Sequence, residues 1–194
     1  MFLSLVAALG NPGREYEATR HNLGWVVLDA LAKKYQLTWK QVPQFEADIA
    51  RWDLSDGRTR WLLKPRTFMN ASGRSLQAFA RFYKIGVESI AVVYDDLTID
   101  LGLVKVSVSG SAGGHNGVAS LLAQLGDGFT RYRLGIGPKH PPQMELVDFV
   151  LGKFLPDQQI TVIQKLDHSV SGLELLLSRG IEPAMNQLNR RDSK

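Results

Sequence analysis

Two continuous apolar runs constrain the fold of this chain more than any other feature of its sequence. They are LSLVAAL at residues 3–9 and IAVVY at residues 90–94. Each has the length of a strand and stops at a turn, and strands without polar alternation are those buried on both faces of a sheet. The alternating segments VKVSVS at residues 104–109 and YRLGI at residues 132–136 predict half-buried strands, and TRWLLK near Arg60 predicts one more.

Helical periodicity fills the intervals between these strands. Apolar residues recur at spacings of three and four in four segments: Leu23, Val27, Ala30 and Leu31; Leu76, Phe79, Ala80 and Tyr83; Val118, Leu121, Leu122 and Leu125; and Ile160, Ile163, Leu166, Val170, Leu173 and Leu177. Gly86 and Gly126 are predicted to end the second and third helices, and the fourth is a long amphipathic C-terminal helix after Pro156. This order predicts an α/β fold in a single domain, residues 1–194, whose mixed and mostly parallel central sheet is surrounded by helices.

Composition excludes several kinds of site. The chain has no cysteine, which excludes disulfides, thiolate metal sites and cysteine nucleophiles. Its first residues, MFLSLVAAL, lack the basic segment and the small-residue cleavage site of a signal peptide, and no apolar run is long enough to span a bilayer. We therefore expect a cytoplasmic protein that does not associate with membranes. The net charge of +4 permits a polyanionic partner without requiring one.

Polar residues cluster where strands end and helices begin. Ligands of open α/β sheets bind beyond the carboxyl ends of the strands, so these residues are candidates for one site. They are Asn11 after the first apolar run, Asp95 and Asp96 after the second, His21 and Asn22 before the first helix, Asn70 before the second helix, and His115 and Asn116 before the third. Taken singly, asparagine at a helix start is usually an N-cap, which we predict for Asn22 and Asn70, and a lone histidine is usually structural. Their coincidence indicates a site.

The residue types favour water activation over other chemistries. At a helix N-terminus the dipole disfavours a charged His21 ring, and a carboxylate such as Asp95 can accept its other N–H and fix the tautomer. The sequence contains no G-x-S-x-G segment, phosphate-binding P-loop or G-x-G-x-x-G segment. A metal held by His21, His115 and an aspartate is geometrically open, but no close histidine pair supports it, and we expect none.

Basic residues accompany these strands and loops. They are Lys64, Arg66, Lys105, Arg131, Arg133 and Lys139. Basic side chains at a surface are usually only solvated. Beside asparagine amides, which suit the binding of peptide-like groups, they suggest an acyl ester attached to a polyanion.

Six segments resemble those of bacterial-type peptidyl-tRNA hydrolases, in the same order and over nearly the whole chain. They are LGNPGREYEATRHNLGW, PRTFMNASG, VVYDDL, GSAGGHNGV, RYRLGIG and FVLGKF. The resemblance implies a single α/β domain, usually monomeric, that hydrolyses the ester between a peptide and tRNA, so that tRNA from stalled or aborted translation is recycled. It implies peptidyl-tRNA as the partner, no obligate protein partner, and no metal or organic cofactor.

The resemblance also implies roles for individual residues. His21 is the general base that activates water, Asp95 holds it in its basic form, and Asn11 distinguishes N-blocked peptidyl-tRNA from free aminoacyl-tRNA. The residues expected to contact tRNA or peptide are Tyr16, Phe68, Asn70 and Asn116, and those expected to contact phosphates are Lys105, Arg131 and Arg133. His115 is expected to support its loop, and Met69 to pack beneath the cleft.

The chain departs from the family pattern at several positions. Thr98 replaces an acidic residue, and Asp100 stands where proline is usual. Ser107 and Ser109 occupy positions that are often basic, and Glu145 occupies one where neutral or basic residues are common. We therefore expect the chemistry to be retained and the affinity for phosphates to be weaker.

Two alternatives remain open from the sequence. An RNA-binding module with this fold would not need a base and its orienting carboxylate, yet His21 and Asp95 are both present. A small-molecule esterase or peptidase would explain the weakened basic strand, but it would not explain why the whole set of motifs is retained.

Overall fold

The two apolar runs form adjacent strands in the centre of one seven-stranded sheet. The computed structural model describes residues 2–190. Its strands are β1 (Leu5–Ala8), β2 (Lys40–Val42), β3 (Ala47–Asp53), β4 (Thr59–Pro65), β5 (Ile90–Asp100), β6 (Val104–Ser107) and β7 (Thr130–Gly137), in the order β2-β3-β4-β1-β5-β7-β6. Strands β4, β1, β5 and β7 are parallel, whereas β3 and β6 run antiparallel to their neighbours. The predicted fold class, α/β with a mixed and mostly parallel sheet, is confirmed.

Within residues 2–190, six α-helices cover the two faces of this sheet. They are α1 (Leu23–Lys34), α2 (Ser72–Tyr83), α3 (Asn116–Leu125), α4 (Leu146–Leu151), α5 (Pro156–Arg179) and α6 (Ile181–Leu188). Side chains alternate across a strand, so Val6 and Ala8 of β1 pack into the core under α1 and α5, while Leu5 and Ala7 pack into the core under α2 and α3. This double burial is the reason why β1 has no polar position.

Strand β5 is longer than the sequence predicts. The prediction ended it at Tyr94 and placed Asp95 in a following loop, but the strand continues to Asp100 with an irregularity between Asp96 and Asp100. The end of β5 lies very close to β7, and only glycine in β7 leaves room for it. A Cβ atom at Gly135 would lie 2.0 Å from the Asp100 carbonyl oxygen. Asp95 therefore belongs to the rigid sheet, which fixes its direction more firmly than a loop could.

One predicted helix end is also wrong. Helix α2 ends at Tyr83 rather than at Gly86, because Lys84 adopts a left-handed conformation (φ 55°) that closes the helix one turn earlier. The predicted C-terminal helix corresponds to α5, which contains its whole apolar stripe, and a further helix, α6, follows after Gly180 (φ 89°). On α5 the predicted apolar stripe is buried only in its second half, and Ile160 and Ile163 are exposed.

Four elements have no counterpart in the sequence prediction. They are β2, β3, α4 and α6. Strand β3 has the sequence ADIARWD, in which charged residues on both faces of the strand interrupt the apolar pattern, and β2 has only three residues. Among residues 2–190 we find no helix with the length and apolar character that crossing a membrane requires.

Replacement of Lys84 by glycine is expected to stabilise the fold. A left-handed residue with a Cβ atom costs about 1 kcal/mol relative to glycine, so the free energy of unfolding should rise by up to that amount. Urea denaturation measures it. The control Lys33→Gly lies in the right-handed last turn of α1 and should lower stability by about 1 kcal/mol; equal effects of the two changes would contradict the explanation.

Candidate active site

A buried carboxylate between two histidines forms the centre of the site. His21 Nδ1 lies 3.0 and 2.9 Å from the two oxygens of Asp95, and His115 Nε2 lies 3.1 Å from Asp95 Oδ1. The two imidazole rings are 4.7 Å apart between centroids. Asp95 is 2 % exposed, so its charge is compensated by these rings rather than by water. The sequence pointed to one histidine on Asp95, and the structure brings both to it.

Hydrogen bonds fix which nitrogen of each ring carries the proton. His115 Nδ1 accepts from the backbone N–H groups of Gly117 and Val118, at 3.1 and 3.3 Å, and so caps the N-terminus of α3. An acceptor nitrogen has no proton, hence His115 is neutral and donates to Asp95 from Nε2. His21 donates to the same carboxylate from Nδ1. Its Nε2 is then left with a lone pair available to the cleft.

The environment of Asp95 shifts its ionisation. Burial taken alone raises the pKa of this carboxyl, but the His115 and His21 rings, whose N–H groups point at it, outweigh burial and hold the pKa well below its ordinary value. Asp95 is therefore an anion over the whole range in which histidine titrates. A permanent anion keeps the Nδ1 proton of His21 in place and so fixes the tautomer of the ring.

The same three residues are close enough to hold a metal ion. One ligand atom from each of His21, Asp95 and His115 lies within 4.8 Å of the others. Ligation by His115 Nε2 would require its proton to move to Nδ1, which already faces two N–H donors. The donor set therefore fits the hydrogen-bonded arrangement better than it fits a metal.

Asn11 is held beside this centre by Asn22. The Asn22 side chain accepts from the Asn11 backbone N–H at 2.8 Å and donates to the Asn11 carbonyl at 2.9 Å. Asn11 Oδ1 in turn accepts from the Met69 backbone N–H at 2.8 Å. The predicted N-cap role of Asn22 is wrong, because its side chain makes no cap bond to α1 and is committed to Asn11.

These groups open into a cleft of about 880 Å³ at the carboxyl ends of the central strands. Four residues predicted as contacts line it, namely Tyr16, Phe68, Asn70 and Asn116. Phe68 is 60 % exposed and meets Tyr16 edge to face, with centroids 6.4 Å apart. Asn70 does not cap α2, whose N-cap residue is Ala71. Met69 is buried at the base of the cleft, as expected.

One wall of the cleft is the apolar face of α4. It presents Leu146, Val147, Val150 and Leu151. Arg20, the neighbour of His21, donates from Nη1 to the Phe149 carbonyl at 3.1 Å, and its backbone N–H donates to the Gly152 carbonyl at 3.1 Å. The segment that carries the histidine thus also anchors this wall. The motif FVLGKF, which includes the end of α4, gave no indication of this role from its sequence alone.

The three predicted phosphate contacts have different surroundings. Arg131 is 2 % exposed and lines the cleft, and its guanidinium donates to the carbonyls of Gly110 and Ser111, so it supports the glycine-rich loop. Arg133 is partly exposed but paired with Asp96, from Nε to Oδ2 at 2.8 Å. Lys105 is opposite Arg133 in the register of β6 and β7 and is half-buried.

The α/β fold and a cleft that combines a histidine–carboxylate pair with amide groups define the protein as a hydrolytic enzyme of α/β architecture. Comparison with known proteins gives the particular family. The model of the family described as peptidyl-tRNA hydrolase matches residues 5–194. The chain belongs to the peptidyl-tRNA hydrolase family.

Relatives and solved structures agree with this membership over nearly the full length. A peptidyl-tRNA hydrolase of Gloeobacter violaceus is 42% identical over 98% of this chain and 96% of its own, and one of Symbiobacterium thermophilum is 45% identical over 95% and 98%. The crystal structure of peptidyl-tRNA hydrolase from Acinetobacter baumannii superposes with a TM-score of 0.89 at 37% identity, covering 96% of this chain and 94% of that one. The family suggested by the sequence motifs is confirmed.

Replacement of Asp95 by asparagine should remove a pH-dependent part of the stability. A carboxyl whose pKa is lowered by folding contributes stability above its unfolded pKa of about 3.9, and this contribution is lost as pH falls towards the folded pKa. The stability difference between wild type and Asp95→Asn should shrink below that pH by at most about 1.4 kcal/mol per pH unit. Urea denaturation between neutral pH and acid measures it. The control is Asp167→Asn, which changes an exposed carboxyl on α5. If the difference in the free energy of unfolding between wild type and Asp95→Asn does not change with pH, this account is contradicted.

Proposed function

We propose that this chain hydrolyses the ester that joins a peptide to tRNA, releasing the peptide and recycling the tRNA from stalled or aborted translation. The observation that supports this most directly is the His21–Asp95 pair, whose free Nε2 lies in a cleft lined by amides. The names of the related proteins indicate the same substrate.

The hydrolysis follows from the positions of the protons. Nε2 of His21 takes a proton from water, and the hydroxide forms a bond to the ester carbonyl carbon. The negative charge that develops on the carbonyl oxygen is stabilised by amide donors of the cleft, among them Asn11 and Asn116. When the C–O bond breaks, the leaving ribose oxygen takes the proton from His21, which returns to its neutral form.

Asn11 is the group proposed to distinguish blocked from unblocked substrates. A peptidyl group carries a further carbonyl beyond the ester, and this oxygen accepts a hydrogen bond from an amide N–H. A free aminoacyl group carries an ammonium at that place, which offers only donors. Tyr16, Phe68, Asn70 and Asn116 surround the cleft and are proposed to contact the peptide or the 3′ end of the tRNA.

Lys105 and Arg133 are the residues proposed to contact phosphate. Ser107 and Ser109 line the cleft together with Arg133 and add no charge, and Asp96 neutralises Arg133. Phosphate binding is therefore expected to be weaker than a more basic strand would provide. The monomeric state, the cytoplasmic location and the absence of a cofactor remain predictions.

The first experiment compares two substrates with wild type and His21→Ala. Wild type should release tRNA from N-acetyl-aminoacyl-tRNA and leave unblocked aminoacyl-tRNA intact, and His21→Ala should lose about 10²-fold or more of the rate while still binding tRNA. The control is His168→Ala, at an exposed histidine on α5. If wild type binds tRNA but does not hydrolyse the blocked substrate, the protein would instead be an RNA-binding module. If His21→Ala loses tRNA binding as much as it loses activity, His21 would not be the base.

A positive charge at Ser107 should strengthen tRNA binding. This residue is half-buried, lies opposite Arg131 in the sheet and lines the cleft. Each additional phosphate that a protein neutralises steepens the dependence of log K on log salt by about 0.7 to 0.9, so Ser107→Lys should tighten binding and increase the slope by that amount. Binding is measured in the His21→Ala background, with Ser178→Lys on the exposed face of α5 as the control. An unchanged slope would show that β6 does not face the phosphates.

A further inference from the structure

The side chain of Asn22 is hydrogen-bonded to both backbone polar groups of Asn11. One hydrogen bond comes from the Asn11 N–H at 2.8 Å and the other goes to the Asn11 carbonyl at 2.9 Å. Asn22 is 1 % exposed, so neither bond has a competing water. Because the backbone supplies one donor and one acceptor, the amide of Asn22 can be oriented in only one way.

Three of the four polar groups of Asn11 are hydrogen-bonded within the protein, and its side-chain Nδ2 is the fourth. Its backbone N–H and carbonyl are bonded to Asn22, and its Oδ1 is bonded to the Met69 N–H. Within residues 2–190 the Nδ2 group makes no hydrogen bond, and Asn11 lines the cleft. Asn11 therefore turns the N–H donors of Nδ2 to the cleft, while its oxygen faces the Met69 N–H.

We propose that Asn22 is the positioning residue for substrate discrimination, acting through Asn11. The inference rests on the proposed function, since it assigns Asn22 to the step at which a blocked acyl group is told from a free one. Because its oxygen is turned towards the Met69 N–H, Asn11 meets the substrate with the N–H donors of Nδ2, which bond to the carbonyl of a peptidyl group and repel an ammonium. Asn22 holds the Asn11 backbone, and so keeps Oδ1 within reach of the Met69 N–H; without that support the side chain could rotate, and its oxygen could accept from the ammonium.

The chain contains a second asparagine that makes the same pair of hydrogen bonds to a backbone and can serve as a control. Asn189 accepts from the Val106 N–H and donates to the Val106 carbonyl, both at 2.8 Å, and so repeats the same two bonds elsewhere in the molecule. Replacement of either asparagine by aspartate keeps the acceptor and sets a second oxygen against the carbonyl. The two variants therefore make the same chemical change, and only Asn22→Asp makes it at Asn11.

The test measures kcat/KM for N-acetyl-aminoacyl-tRNA and for unblocked aminoacyl-tRNA, together with tRNA binding and unfolding by urea. Asn22→Asp should lower kcat/KM for the blocked substrate by about tenfold or more, lower the ratio between the two substrates, and leave tRNA binding within about threefold. Asn189→Asp should lower stability and leave that ratio unchanged. An unchanged ratio in Asn22→Asp, or an equal fall in Asn189→Asp, would overturn the proposal.

A double-mutant cycle separates positioning from general damage. If Asn22 acts through Asn11, Asn22→Asp should cost less than about threefold in an Asn11→Ala background. The same loss in both backgrounds would mean that Asn22 acts on the site by another route, which would also overturn the proposal.

A failure of the proposed function is distinguishable from a failure of this inference. Wild type that does not cleave the blocked substrate would remove the function, and the positioning of Asn11 would then be decided by the NMR signals of its side-chain amide. These signals should move in Asn22→Asp and stay in place in Asn189→Asp. Signals that do not move in Asn22→Asp would overturn the inference whatever the enzyme hydrolyses.

Discussion

A buried negative charge on Asp95 is the constraint on which the rest of the cleft depends. A carboxylate removed from water must be compensated, and here two ring N–H groups do so. Both rings must therefore reach one point at the end of β5. Gly24 makes this possible for His21, because a Cβ atom there would lie 2.7 Å from the Val93 carbonyl and would push the start of α1 away. His115 reaches the same point while it caps α3. The need to compensate the charge of Asp95 therefore constrains where both α1 and α3 begin.

The sequence predicted those features whose signal is local. Continuous apolar runs identified β1 and β5, since a strand with no polar position has to be covered on both sides. The positions of Asn11, His21 and Asp95 followed from the order of strands and helices, because residues at the carboxyl ends of neighbouring parallel strands meet. Gly126 was correctly identified as the end of α3. In each case a few consecutive residues carried the information.

The features that the sequence did not predict are bonds between side chains and distant backbone. Asn22 had the position of an N-cap, and only the approach of the Asn11 backbone shows that its amide is used elsewhere. Arg131 alternates with apolar residues like an exposed strand residue, yet the carbonyls of the glycine-rich loop enclose it. His115 could be assigned to its loop but not to Asp95, because no pattern in the sequence shows that this loop returns to the end of β5. Such partners have no periodic signature.

The anchoring of α4 by Arg20 couples the shape of the cleft to its chemistry. The residue beside the histidine holds the apolar wall through the Phe149 carbonyl and lies 4.3 Å from the Phe149 ring centroid. A wall that swings outward must break these bonds or draw the histidine segment with it. The width of the cleft and the alignment of the histidine are therefore mechanically linked, and neither can change without the other.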